Sequence, residues 1–198
     1  MKKKKLLIAL VAVLAIFVEI FFLPYRYAAI LPRRMYTEDD RTVYLTYFSS
    51  GARETPSVKY CASKADFACE ATVLTDGEKK TKDGDFVQFK MLVNDIWFGM
   101  PHDQILDIVI GGDPGEEIRP VKGDRIIIFA YRATKEGRKR YGFEYGTVDK
   151  AYGIYIINPD GKLFSLSKVP DFMTFEGQPP AVLKEHIREI RRELKKEK

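Results

Sequence analysis

Two cysteines eight positions apart, Cys61 and Cys69, are the residues of this chain whose type and spacing best suit chemistry. In an oxidising or thiol-poor setting an even pair this close reads as a disulfide. Closing so short a loop contributes roughly 2.5 kcal/mol by chain-entropy arithmetic where the geometry permits. Buried thiols are the rival reading. Redox catalysis is the third, and it lacks the Cys-x-x-Cys spacing that activates a thiolate. The expectation is a structural Cys61–Cys69 bridge that pins the segment before the first strand onto that strand. The two histidines, His102 and His186, fall in different segments without ligand-spaced companions. A zinc site or an activated nucleophile needs convergent His, Cys or carboxylate groups, so no metal, cofactor or catalytic residue is expected.

The remaining candidates are contact residues. Gly111-Gly112-Asp113-Pro114-Gly115-Glu116-Glu117 lacks the Gly-Lys-Ser/Thr ending of a phosphate cradle, and its carboxylates would repel phosphate, so it reads as a turn. The stretch KEGRKRYG over 135–142 holds four basic residues and a tyrosine. It reads as a solvated hairpin loop, with contact to a polyanion or lipid headgroup as the alternative. Arg138, Lys139 and Arg140 are therefore interaction candidates, together with Tyr60 and Trp97. Trp97, the only tryptophan, ends a long strand and is expected in the core or at a barrel rim rather than as a ligand platform.

These residues sit in a chain of 198, of which 45% are hydrophobic and 31% charged. That is one domain with appendages, neither disordered nor low in complexity. The net charge of +5 divides unevenly: residues 1–34 carry +6, residues 184–198 carry +3, and 35–183 carry −4. A domain of that sign does not present a phosphate-tracking surface, which excludes nucleic acid as the expected partner.

Four lysines (2–5) precede an apolar stretch, Leu6–Leu23, of 18 residues interrupted only by Glu19. At 1.5 Å per residue it reaches roughly 27 Å, enough for a bilayer's hydrocarbon core. Leu6–Val18 also has the length of a signal peptide's apolar region, but no A-x-A site follows it. The segment reads as an uncleaved signal anchor. The lysines place the N-terminus in the cytoplasm and the remainder outside, against a weaker contrary signal from Arg26, Arg33 and Arg34. Residues 25–59 then read as a juxtamembrane stalk, with one alternating run, Thr42–Phe48.

From residue 60 to 170 the pattern is β. Phe67–Leu74 precedes a polar hairpin-like stretch with two Asp-Gly pairs. Val87, Phe89, Met91 and Val93 alternate along Phe86–Gly99. Ile105–Gly112 and Asp124–Ala133 are further runs, and Ala151–Leu166 is a hairpin turning at Asn158-Pro159-Asp160-Gly161. Five principal strands without intervening helices predict a mainly β fold, a small five-stranded OB-like barrel. Residues 171–198 carry an amphipathic helix: Leu183, Ile187, Ile190 and Leu194 form one face, with Glu185/Arg188, Glu189/Arg192 and Glu193/Lys196 as i,i+3 pairs. Its mixed-sign polar face favours packing on the barrel over lying on a membrane.

Over residues 61–166 the chain resembles the netrin-like OB fold of tissue inhibitors of metalloproteinases and their bacterial relatives. The residues that carry the likeness are Phe67-Ala68-Cys69-Glu70-Ala71, the V-x-F-x-x-x-V of Val87–Val93, Trp97-Phe98-Gly99, Gly111-Gly112, and Gly123-Asp124-Arg125-Ile126-Ile127-Ile128-Phe129-Ala130. The resemblance implies an OB barrel. Inhibition in that family relies on a mature N-terminal cysteine chelating the protease zinc, whereas Cys61 is internal, is not followed by Cys-x-Cys, and no cysteine stands beside Gly111-Gly112. The expected function is a membrane-anchored extracytoplasmic binding or interaction module with a protein partner. The alternatives are a metalloprotease inhibitor after processing at Cys61, or an envelope enzyme whose site the sequence does not reveal.

Overall fold

Strand β1 (Phe67–Val73) is buried along its whole length and hydrogen-bonded on both edges. In the computed structural model, which describes residues 11, 13, 22–37, 57–80, 86–111, 120–148, 153–167 and 169–197, it is the seam of a closed barrel. One edge pairs antiparallel with β3 (Phe86–Phe98), which also carries the short β2 (Glu78–Lys80). The other edge pairs antiparallel with β5 (Arg125–Arg132). From β3 the sheet continues to β4 (Ile105–Gly111), then in parallel to β6 (Tyr145–Thr147), and β6 returns antiparallel to β5. Those five strands close the ring. Outside it, β7 (Ile154–Ile157) pairs with β5, and β8 (Leu163–Ser165) pairs with β7. Register shifts between Ala68 and Cys69 and between Glu70 and Ala71 let the long β3 bend around β1. At its end Gly99 (φ +67°) is obligatory: a Cβ there would stand 2.1 Å from the Asp66 carbonyl.

Strand alternation separates two cores. Phe67, Cys69, Ala71 and Val73 of β1 face the barrel interior with Phe89 and Met91 of β3 and Ile126 and Ile128 of β5. The opposite faces of β1, β5 and β7 supply Ala68, Ile127, Phe129 and Tyr155 to an outer layer. Helices cover it: α2 (Val58–Lys64), α4 (Pro170–Met173) and α5 (Pro180–Lys196). A separate helical stretch over 22–30 (α1) belongs to another compact unit, Met1–Leu31, while the barrel and its helices form the unit Pro32–Lys198. The apolar stripe of the C-terminal helix packs on the barrel as expected, and of the expected pairs Glu185–Arg188 forms, while Arg192 reaches Glu185 rather than Glu189. Leu183, Ile187 and Ile190 are buried in the outer layer with Leu194 packed at its margin, and Glu185 takes both Arg188 (3.2 Å) and Arg192 (3.5 Å).

Several expectations need correction. The barrel does have five strands, but its fifth is β6, three residues that no periodicity announces, and the hairpin at Ala151–Leu166 forms β7 and β8 outside the ring. The basic stretch is no loop. It is helix α3 (Lys135–Tyr141), capped by the Thr134 hydroxyl accepting from Gly137 N–H at 3.0 Å and stopped by Gly142 at φ +73°. The stalk expected over 25–59 does not include Pro32–Thr37, which belongs to the barrel unit, with Tyr36 in its interior core. No helix among the described residues is long and apolar enough to cross a membrane. Of the span Leu6–Leu23, all but residues 11, 13, 22 and 23 lie outside the described residues, as do Thr42–Phe48 and 112–117 of the glycine-rich turn.

No disulfide joins Cys61 to Cys69. The reason is topological: α2 buries Cys61 in the outer layer, whereas the alternation of β1 turns Cys69 into the barrel, so the sheet stands between them. Burial, reinforced by the charges of Glu70 and Asp95, pushes the Cys69 thiol up to about 12, which makes it an inert packing residue. Reductant is therefore expected to leave the melting temperature of the native protein unchanged, with two thiols per chain titrating in denaturant. A tryptic fragment carrying a Cys61–Cys69 bridge would refute this.

Candidate functional site

The mouth of the barrel, at the Asp124 end of β5, concentrates buried polar groups. Four side chains from three separate segments meet there: Arg33 and Tyr36 from Pro32–Thr37, Asp124 before β5, and Asn158 in the turn after β7. Tyr36 plugs the mouth. Its ring is 2% exposed, tilted against Phe164 at 6.0 Å, with the Arg34 guanidinium 4.9 Å from its centroid. Its hydroxyl donates to Asp124 Oδ2 at 2.5 Å, and Val121 N–H donates to the same oxygen at 2.7 Å. Asn158 grips the backbone of Tyr36 at both ends: its Oδ1 accepts from Tyr36 N–H at 2.9 Å, and its Nδ2 donates to the Tyr36 carbonyl at 3.1 Å. One residue earlier than Arg34, Arg33 Nη2 donates to the carbonyls of Ile157 (2.7 Å) and Asn158 (2.9 Å). Two atoms stay unsatisfied, Asp124 Oδ1 and Arg33 Nε, both buried without a hydrogen-bond partner. Beside the plug opens a cleft of about 210 Å³ whose walls include Thr37, Asp160, Lys162 and Glu176.

Burial dominates the electrostatics. Desolvation raises the Asp124 pKa above the ordinary carboxylate value, although the Tyr36 and Val121 hydrogen bonds and the charges of Arg34 and Arg33 pull it down. Tyr36 is pushed well up by the same burial and by its bond to Asp124, so it remains a phenol and a donor. Arg33 is lowered by burial and by the charge of Arg125. Because the folded Asp124 pKa exceeds its unfolded value, the carboxyl's contribution to stability is fully present below the unfolded value, about 3.9, and fades as pH rises through the folded one. Urea midpoints of the wild type and Asp124→Asn, compared from pH 4 to pH 8, should show the wild type losing ground steadily toward neutral pH. A wild type that gains on Asp124→Asn as pH rises contradicts the assignment.

The described polar groups of the mouth hold separate chain segments together. No group of three or more His, Cys, Asp or Glu able to hold a metal exists among the described residues. The Asn158 amide holds the Tyr36 backbone, the Arg33 guanidinium holds the carbonyls of Ile157 and Asn158, and the Tyr36 hydroxyl is tied to the Asp124 carboxyl. The residues singled out from sequence lie elsewhere. Trp97 is a core residue of the outer layer, its Nε1 buried without a partner and Lys184 Nζ 5.9 Å from its ring; Tyr60 packs half-buried against the same layer. Arg138, Lys139 and Arg140 ride on α3, which follows the far end of β5. Arg138 faces Glu144 at 3.5 Å and Lys139 is exposed. The structure therefore joins Tyr60 and Trp97 to one core layer and leaves the basic trio apart. Sequence reasoning missed the mouth: Asn158 was visible only as a turn residue, and Arg33 only as a charge. Searches against protein-family models and against curated proteins found no match for the chain.

Proposed function

We propose that the chain is a membrane-anchored, extracytoplasmic binding module built on an OB-like barrel, with no catalysis of its own. The observation that carries this reading is the mouth, where the Asn158 amide grips the Tyr36 backbone at its N–H and C=O, the Arg33 guanidinium holds the carbonyls of Ile157 and Asn158, and the buried Tyr36 phenol is anchored on Asp124. The ring order supports the OB assignment: its five strands, numbered along the chain, run 1-2-3-5-4 and close on 1, with the third and fifth parallel. The anchor rests on the lysine cluster and Leu6–Leu23. The netrin-like resemblance agrees with the barrel and adds no inhibitory residue. A chain processed to begin at Cys61 would lack Arg33 and Tyr36, and also Ser57, whose hydroxyl caps α2 by accepting from Tyr60 N–H at 2.9 Å.

A photo-crosslinking residue at Lys162, on the wall of the cleft, should capture a protein partner in intact cells, while one at Lys139 on α3 should capture far less. External protease should digest the barrel and spare the lysine end. Equal capture at both positions, a domain protected from external protease, or a native chain whose intact mass begins at Cys61 would each overturn the reading.

A further inference from the structure

The segment Pro32–Thr37 lies in the barrel mouth as a ligand would. Its contacts divide into two kinds. The Asn158 amide reads one N–H and one C=O, features that any extended peptide offers. Selectivity comes from two anchors three residues apart, the Arg33 guanidinium on the carbonyls of Ile157 and Asn158, and the Tyr36 phenol on Asp124. Arg34 and Met35 between them are exposed. The chain between this segment and Ser57, the cap of α2, is 19 residues (38–56). At ~3.3 Å per residue it could extend roughly 60 Å, so its length does not force the segment into the mouth.

The fit is also incomplete. Asp124 Oδ1 on the barrel side and Arg33 Nε on the segment are both buried without a hydrogen-bond partner, and an orphaned buried polar atom is destabilising. The cleft of about 210 Å³ continues the groove alongside Tyr36 and Thr37. A groove with room to spare and a carboxyl oxygen still to satisfy is one from which its present occupant can be exchanged.

We propose that the barrel mouth is a recognition site for an extended peptide carrying arginine and, three residues later, tyrosine, and that Pro32–Thr37 occupies this site in cis. The proposal rests on the reading of the chain as a binding module and supplies its ligand class. Tethering holds the segment at an effective concentration of ~mM, so an outside peptide must compete against it.

The experiment uses the full chain with a protease site inserted between Ser49 and Ser50, together with a labelled synthetic peptide of residues 32–37. After cleavage the two fragments should still copurify, the barrel fragment should keep its β circular dichroism, and the peptide should displace the N-terminal fragment. The uncut chain should bind the peptide at least tenfold more weakly than the cut chain. Peptides carrying R33A or Y36F should lose about tenfold, and Y36A should not bind measurably. Fragments that separate at once, a barrel that unfolds when its strap is displaced, equal binding to cut and uncut chains, or indifference to Y36A would each overturn the proposal. Crosslinking at Lys162 reads partner capture separately, so a failed exchange leaves the binding-module reading standing on its own test.

Discussion

Tyr36→Ala is expected to lower the unfolding free energy by about 3–5 kcal/mol, the range for deleting a large aromatic from a core. The ring belongs to the barrel's interior cluster, and nothing else among the described residues fills its place against Phe164. Its loss also strips Asp124 Oδ2 of one of two donors while Oδ1 already has none. For a chain of this size the melting temperature should fall by roughly 6–20 °C. Tyr36→Phe separates the two contributions, because it keeps the plug and removes only the hydroxyl. It should cost about 1–3 kcal/mol, the penalty for leaving a buried acceptor short of a donor. Thermal and urea unfolding of both variants read the difference. If Tyr36→Ala proves no worse than Tyr36→Phe, the ring is not a plug, and the barrel closes without Pro32–Thr37.

The strands with strong alternation were legible in the sequence because alternation itself reports burial on one face. Val87, Phe89 and Met91 illustrate it: read at period two, they face the barrel interior. What escaped was either too short or too remote. β6 has three residues, and its membership in the ring is decided by partners on both sides, Ile108–Val109 in parallel and Ala130–Arg132 antiparallel. The plug is held by bonds between residues 88 to 125 positions apart, which no local pattern can encode. The cysteines could have been read better. The same alternation that makes Phe67, Ala71 and Val73 inward residues places Cys69 with them, so a bridge to any helix packed outside the barrel has to cross the sheet. Helix α3 also left a signal in Thr134 and Gly142, a cap and a stop flanking a seven-residue run that its charge disguised as a loop.

Ile187→Asp in α5 is expected to cost about 4 kcal/mol or more, since it places a carboxylate in a fully buried apolar site. The cysteines turn this variant into a map of how the outer layer is lost. Cys61 lies under α5 in that layer, while Cys69 is inside the barrel. α5 is held at its margins by polar ties: Lys184 Nζ to Asp95 Oδ2 at 2.5 Å, and Arg191 Nη1 to the Ala62 carbonyl at 3.0 Å, with the Arg191 guanidinium 4.5 Å from the Phe98 ring. The Lys184–Asp95 pair is exposed and contributes little beside the buried stripe of Leu183, Ile187 and Ile190. With the stripe broken, the helix should open locally before the barrel does. Pulsed alkylation under native conditions should then label Cys61 much faster than in the wild type, and Cys69 only as the whole domain unfolds. Simultaneous labelling of both thiols would show that helix and barrel form one cooperative unit. Unchanged labelling of both, with unchanged stability, would mean that α5 does not seal the outer layer, and it would revive the reading of this helix as a membrane-surface element.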